Sequence, residues 1–390
     1  MHNQTTRKQR RIVFLTGTRA DFGKIKPLLQ ELDNSSDIQL HIFVTGMHML
    51  EKFGSTWEEV AKSNLGIQYR FINQSDQSRM DEVLAKTVLG FSDYVSEIKP
   101  DMIVVHGDRT EPLAGAIVGS LNNILVSHIE GGEVSGTVDE LIRHAITKLS
   151  HIHFVANSVA EKRLLQLGED PNSIYAIGSP ELDIMMSDTL PNLDECMKYY
   201  QIPSSPFSVG ILHPVTTEIE SLAEDVSNYV EALISSGRNY VLIYPNNDLG
   251  SDIILKAYSK LEDNSKFRIL PSMRFEYFLQ LLKNADFIIG NSSAGVRQAP
   301  FFGTPAINTG TRQNGRSQSG TIINTEFEVD EILTAINATQ RMPREIAVEF
   351  GTGSSAEKFS FALSEKENPN SVWSISIQKH FIDLNLFTKD

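Results

Sequence analysis

The chain has 390 residues, 41% of them hydrophobic and 22% charged, with a formal net charge of −14; it is too long for one ordinary core and suits two domains of under about 200 residues each. The acidic balance argues against nucleic acid or an anionic membrane surface as partner, yet leaves room for a small anion bound by local arginines and helix N-termini. No apolar run has the length of a membrane span, no secretory signal pattern opens the chain, and the single Cys196 excludes an internal disulfide framework and fits a reducing cytoplasm.

The basic segment at 7–11 leads directly into a strand-like run, RIVFLT, and reads as a solvated tail. That run ends in TGTRADFGK, where Gly17 permits a tight turn and Arg19 and Lys24 open the next helix. Backbone N–H groups and two cations would hold a phosphate or carboxylate there, or the cations simply face solvent. The pattern is not G-x-G-x-x-G, which disfavours a dinucleotide. QLHIFVT is the next strand, and the stretch 81–98 has its apolar residues at helical spacing.

The runs MIVV (102–105) and ILVSHI (124–129) read as buried parallel strands, each followed by glycine and charge. They carry Asp108 and Glu130 to strand ends, and Asp139 falls in the first turn of the following helix. Ligands of open α/β sheets sit at the carboxyl ends of strands, so the three acids converge where chemistry is usual. Each also has a structural reading. Asp108 would balance Arg109, Glu130 would cap its glycine turn, and Asp139 would pair with Arg143 one turn on, beside a Thr137–Glu140 capping box. His106, His128 and His144 lie near these acids and read as hydrogen-bonded supports. His151 and His153 share one strand face without a third ligand, and no metal is assigned.

HIHFVAN and SIYAIG close the first series of strands, and a four-proline stretch at 179–206 places the boundary near Ser179–Asp188. Cys196, in a helix-like context within it, reads as a buried bystander. A second series follows: SVGILH, NYVLIYP, FRILP, ADFIIG and TPAIN. His213, Asn246 and Arg312 recur after its strands, and Gly290 precedes Asn291-Ser292-Ser293 at a helix start, an arrangement that suits a diphosphate or is plain capping. Neither serine lies in G-x-S-x-G, so a hydrolase elbow is poorly supported. SVWSISIQKHFIDL at the end reads as a helix packing back on the first domain. The expected domains are 1–180, 181–370 and a terminal helix over 371–390.

Five blocks make the chain resemble the UDP-N-acetylglucosamine 2-epimerase family, in its hydrolysing branch of sialic and legionaminic acid biosynthesis. They are GTRADFGK (17–24), HGDRTEPLA (106–114), HIEGGEVSGTVDELIRHAITK (128–148), HPVTTE (213–218) and IGNSSAGVRQ with FGTPAINTGTRQNGR. The resemblance implies two Rossmann-like α/β domains in a glycosyltransferase-B arrangement with an inter-domain cleft, no metal or NAD, and a homodimer or homotetramer. It makes Asp108, Glu130, Asp139 and His213 catalytic. Arg19, Lys24, His48, Arg109, Arg143, Asn246, Gly290, Ser292, Ser293, Gln298 and Arg312 would shape the nucleotide-sugar site. Gln298 stands where the family usually has glutamate.

The implied reaction uses a UDP-sugar and water. UDP leaves C1, a carboxylate takes the acidified C2 proton to give a 2-acetamidoglucal, and reprotonation with hydration releases N-acetylmannosamine. UDP-N,N′-diacetylbacillosamine is the competing substrate. A glycosyltransferase-B transferase and a non-catalytic nucleotide-sugar sensor are readings from other classes.

Overall fold

The computed structural model describes residues 9–75, 78–203, 205–317 and 319–383. Among them the strands form two sheets, each in its own compact unit. The first unit comprises residues up to Glu133, Leu141–Met186 and everything from Phe350; the second comprises Val134–Glu140 and Ser187–Glu349.

The first sheet is built from β1 (Arg10–Thr16), β2 (Ile38–Val44), β3 (Ile67–Arg70), β4 (Met102–His106), β5 (Leu125–Ile129), β6 (Ile152–Val155) and β7 (Ile174–Ala176). Their order is β3-β2-β1-β4-β5-β6-β7, and every pairing is parallel. Strands β4 and β6 are buried along their whole length, as expected of a sheet covered on both faces. The strand order reverses between β1 and β4, so the turns after these two strands diverge and leave a crevice at the sheet's carboxyl edge. The second sheet contains β8 (Ser208–Ile211), β9 (Tyr240–Ile243), β10 (Phe267–Leu270), β11 (Ile288–Gly290), β12 (Ala306–Thr309) and β13 (Ile322–Thr325). It too is wholly parallel, in the order β10-β9-β8-β11-β12-β13, and its switch point lies between β8 and β11. The expected α/β class with two Rossmann-like domains is therefore what the chain adopts.

The chain returns to the first unit at Phe350, earlier than the expected third segment at 371. Packing explains this. In the helix Ser355–Leu363, Phe359, Ala362 and Leu363 recur at helical spacing and enter the first core. The Phe359 ring lies 4.6 Å from Phe154 and 6.1 Å from Phe14, centroid to centroid. Asp183 caps this helix from outside, its two carboxylate oxygens accepting from the N–H groups of Ser355 (2.9 Å) and Ala356 (2.7 Å).

The expected terminal helix is replaced, over its described part, by a single 3-10 turn at Val372–Ser374 and irregular chain; residues 384–390 lie outside the described residues. Here the tail spends its polar groups on the body of the unit. Ile382 N–H donates to the Gly168 carbonyl (3.0 Å), and Lys379 Nζ donates to the carbonyls of Thr147 (3.0 Å) and Ser150 (2.5 Å). Lys379 also meets Glu169 at 2.6 Å, which in turn holds Lys148 (2.7 Å) and His153 Nε2 (2.9 Å). Cys196 is buried in the helix Leu193–Tyr200, and burial pushes its thiol up to about 11, which suits a bystander. Among the described residues no helix is long and apolar enough to cross a membrane.

Candidate active site

At the carboxyl edge of the first sheet, β1 ends in Thr16, and Thr18 caps the helix Arg19–Asp33 by accepting from Asp21 N–H (3.1 Å). Asp21 turns back to the strand end: its Oδ2 accepts from Thr16 Oγ1 (2.6 Å) and Gly17 N–H (3.2 Å). Gly17 is small because the buried Glu111 side chain lies only 3.1 Å from where a Cβ would stand. His106 ends β4, Gly107 turns the chain at φ +81°, and Asp108 and Arg109 precede the helix Thr110–Leu121. Glu130 directly follows β5 with φ +71°, a left-handed conformation that costs a non-glycine residue energy.

Glu130 is 5% exposed and faces three cationic or protonatable groups. Lys24 Nζ and His106 Nε2 each lie 3.4 Å from its Oε1. Arg143, fully buried in the helix Val138–Leu149, donates to the Glu130 carbonyl (2.8 Å) and sits 3.8 Å from Oε2. The other arm of Arg143 binds Asp108 Oδ2 in a very close ion pair. Lys24 also meets the buried Glu181 at 3.5 Å. Lys24, His106, Asp108, Arg109, Glu111 and Glu130 line a cavity of about 130 Å³. In such low-dielectric surroundings fixed charges act strongly, so a group of this kind can hold, take up or release a proton without moving.

Several structural readings of single residues resolve here. Arg143 is engaged with Asp108 and Glu130, whereas Asp139 is bound by Arg312 Nη2 at 3.0 Å within the second unit. Arg109 Nε approaches Glu111 at 4.0 Å. Thr137 Oγ1 accepts from Asp139 N–H (3.3 Å), and the Glu140 carboxylate accepts from Ser135 N–H (2.9 Å), two residues before the Thr137 N–H of the expected capping box.

Two expected ligand contacts sit elsewhere. His48 is wholly buried, with Nδ1 bonded to Thr56 Oγ1 (2.7 Å) and Nε2 to Thr16 Oγ1 (3.2 Å). Burial pushes its pKa down to about 4, so it is a neutral structural histidine whose two nitrogens are already used. Arg19 is drawn to Glu59 at 2.7 Å. His128 is likewise buried and pushed down to about 3, its Nε2–H donating to the Gly107 carbonyl (2.9 Å). His151 Nδ1 accepts from Val126 N–H (3.1 Å) and His153 serves Glu169, and among the described residues no group of acids, histidines or cysteines is arranged to hold a metal ion.

In the second unit the turns after β8 and β11 form a second polar group. Asn291 reads the backbone of His213 like a neighbouring strand: its Oδ1 accepts from His213 N–H (2.7 Å), and its Nδ2 donates to the His213 carbonyl (2.8 Å). The His213 ring accepts at Nδ1 from Asn246 N–H (3.1 Å), which in the neutral ring leaves the proton on Nε2. Gly290 is obligatory, because at φ +125° a Cβ would stand 2.1 Å from the Ile211 carbonyl oxygen. Ser292 caps a helix of one turn, Ser293–Val296, which breaks at Arg297 before a second turn, Gln298–Phe301. So short a helix has little dipole, and hydrogen-bond donors must supply what a long helix would. Arg312 Nη1 (3.2 Å) and Gln313 Nε2 (3.0 Å) both donate to the Asn291 carbonyl. Gln298 is buried.

The first unit thus gathers Lys24, Asp108, Arg109, Glu130 and Arg143, and the second gathers Asp139, His213, Asn246, Gly290, Ser292, Ser293 and Arg312. Sequence reasoning missed Asp21, Glu111 and Glu181, and named Asn291 only as part of a helix start, not as the residue that holds the His213 backbone. Asn291 directly follows β11, where the carboxyl-edge rule that found Asp108 points, whereas Asp21 sits in the first turn of the helix Arg19–Asp33.

A family model described as UDP-N-acetylglucosamine 2-epimerase matches residues 30–364. The chain is 48% identical over 377 residues to a UDP-N-acetylglucosamine 2-epimerase of Neisseria meningitidis serogroup B, covering 97% of this chain and 100% of that one. It is 34% identical over 354 residues to the UDP-N,N′-diacetylbacillosamine 2-epimerase (hydrolyzing) of Legionella pneumophila, covering 90% and 94%. Its fold resembles the crystal structure of Methanocaldococcus jannaschii UDP-GlcNAc 2-epimerase in complex with UDP-GlcNAc and UDP, with a TM-score of 0.76 and 22% identity over 90% of this chain and 99% of that one.

Proposed function

The chain belongs to the UDP-N-acetylglucosamine 2-epimerase family, and from that premise we propose that it is the hydrolysing enzyme, converting UDP-N-acetylglucosamine and water to N-acetylmannosamine and UDP for sialic acid synthesis. One observation carries the reading: a buried glutamate ringed by Lys24, His106 and Arg143, with Asp108 on the same arginine, at the switch point of a parallel sheet.

The chemistry needs that arrangement. The C2–H of an N-acetylhexosamine is not adjacent to a carbonyl, so it becomes acidic only as the C1–O bond breaks and its electron pair leaves with UDP. Positive charge then grows at C1, and Asp108 and Glu130 are suited to stabilise it. A carboxylate takes the C2 proton, the C–H electron pair becomes the C1–C2 double bond, and 2-acetamidoglucal results. A proton delivered to the opposite face of C2, with water adding at C1, completes inversion and hydrolysis. Opposite faces require separate acid–base groups, and Asp139 is the third carboxylate available. In the second unit His213, Asn246, Ser292, Ser293 and Arg312 are donors suited to a diphosphate, and in the first Lys24 and Arg109 carry positive charge at the carboxyl edge of the sheet. Because Nδ1 accepts from Asn246 N–H, a neutral His213 ring carries its proton on Nε2, the tautomer suited to donating to a departing phosphate. Gln298 offers a carbonyl to a ribose hydroxyl.

Incubation with UDP-N-acetylglucosamine in D2O tests this. Free N-acetylmannosamine carrying deuterium at C2, together with UDP, is expected; a product that retains UDP, or free sugar with C2 unchanged, refutes it. Asp108→Asn, Glu130→Gln and Asp139→Asn should each lower kcat about 100-fold or more with the fold intact. A second reading, action on UDP-N,N′-diacetylbacillosamine, is favoured by the 34% identity to the Legionella enzyme. Running both sugars side by side decides between them.

A further inference from the structure

Behind Glu130 runs a buried line of side chains for which the reaction scheme has no task. His106 Nδ1 lies 2.6 Å from Asp21 Oδ1, and its Nε2 lies 3.4 Å from Glu130 Oε1. The ring donates from Nδ1 to Asp21, while Nε2 faces Glu130 at ion-pair distance without a hydrogen bond, and a ring set between two carboxylates in this way is favoured as the imidazolium. The direction of each bond behind it follows. Thr16 Oγ1 donates to Asp21 Oδ2 at 2.6 Å, so it accepts from His48 Nε2–H at 3.2 Å, and Thr56 Oγ1 donates to His48 Nδ1 at 2.7 Å. Gly17 N–H adds a second donor to Asp21 Oδ2 at 3.2 Å. Asp21 is thereby held on one oxygen by the end of β1 and offers the other to His106.

We propose that Asp21 and His106 are positioning residues for Glu130, a charged dyad whose positive ring, 3.4 Å from Oε1, favours the ionised Glu130 carboxylate for its work at the sugar. The inference rests on the epimerase reading and assigns it two further residues. His48, Thr16 and Thr56 form the rigid backing of the dyad.

The groups facing His106 set its charge. Asp21 and Lys24 approach from the helix Arg19–Asp33, Glu130 from the turn after β5, Arg143 from the helix Val138–Leu149, His128 from β5, and Asp108 from two residues along. Burial, Lys24 and Arg143 oppose a positive ring, and the two carboxylates favour it. Burial works against the charge, but Glu130 and Asp21 outweigh it and lift the ring to about 9. Loss of the Asp21 charge should therefore let the ring titrate close to neutrality, with Glu130 losing its partner as pH rises.

The test is the pH profile of kcat/KM for UDP release from UDP-N-acetylglucosamine, read with ring-nitrogen NMR of 15N-histidine-labelled protein. The wild type should show both His106 nitrogens protonated at about pH 7.5 and an activity limb falling near the value of about 9. Asp21→Asn, which keeps shape and removes charge, should move the limb and the NMR titration down together by about one unit or more. His106→Gln should remove the limb and cost about tenfold or more in kcat. A merely structural role would lower the whole profile without moving the limb. A neutral His106 in the wild type at about pH 7.5 overturns the proposal, whether or not the variants fold. So does an unmoved limb in a folded Asp21→Asn. If the wild type releases no UDP, the epimerase reading fails. The NMR titration of wild type against Asp21→Asn then still decides whether the dyad exists.

Discussion

Replacing Glu169 by glutamine removes the one negative charge from a cluster of three partners and should weaken the first unit selectively. The carboxylate is 1% exposed and lies 2.6 Å from Lys379, 2.7 Å from Lys148 and 2.9 Å from His153 Nε2. Burial alone would raise its pKa, but the His153 hydrogen bond and the two ammonium groups outweigh burial and hold it at about 2, against an ordinary 4.5. That lowering corresponds to about 3 kcal/mol in favour of the ionised, folded form. Because the folded value lies below the unfolded one, this stability is fully present above about pH 4.5 and is lost as pH falls toward about 2. Lys148 is partly exposed and recovers water when its partner goes, whereas Lys379, with a side chain 23% exposed, recovers less. The net loss at neutral pH should be about 2–3 kcal/mol. The chain's two tryptophans, Trp57 and Trp373, both lie in the first unit, so urea unfolding followed by tryptophan fluorescence reads it directly. Glu169→Gln should lower that stability and flatten its acid dependence, and a cycle with Lys379→Met should show about 1 kcal/mol or more of coupling. An unchanged midpoint, or equal acid sensitivity with and without the carboxylate, would refute the reasoning.

Gly290→Ala should be among the most damaging single-atom additions in the second unit, because its Cβ would stand 2.1 Å from a backbone oxygen and its φ of +125° is closed to alanine. A loss of about 2–3 kcal/mol is expected, visible as a lowered melting transition, and a wild-type transition would contradict the β11 geometry. Asn291→Ala removes both bonds that fix the His213 backbone and should cost about 1–3 kcal/mol while weakening UDP binding. Calorimetry with UDP checks this, and unaltered affinity would mean that His213 needs no such support.

What could be read from the residues follows from how parallel sheets bury their strands. MIVV and ILVSHI stand out because both faces of β4 and most of β5 are covered, leaving an apolar run that ends abruptly in glycine and charge. That abruptness is why Asp108 and Glu130 could be set at strand ends. Strands β3 and β13 were not read, since each is a short edge strand with no long run of apolar residues, and β3 is largely open to solvent. His48 was expected in the sugar site from the resemblance alone, and nothing in the sequence shows that its nitrogens are met by Thr16 and Thr56. Asp21 was read past for a related reason: a short acid in a helix's first turn looks like dipole compensation until its partner, 85 residues further along the chain, is known. The terminal segment misled because its apolar contacts, Val372 in the first core with Trp373 and Ile375 against it, are confined to one short stretch, while Lys379 and Ile382 bond Thr147, Ser150 and Gly168, and none of this leaves a helical period.

The first unit's core is sewn shut by Phe359, which the ribosome delivers only after nearly the whole second unit has been made. During synthesis the amino-terminal sheet must therefore wait, part-finished, with the groove for that ring unfilled. The second unit, almost contiguous from Ser187 to Glu349, is free to fold ahead of it. A chain stopped short of Phe359 would leave the cell with a sound second half and an incomplete first one, and protein quality control would meet the amino-terminal half as the vulnerable part.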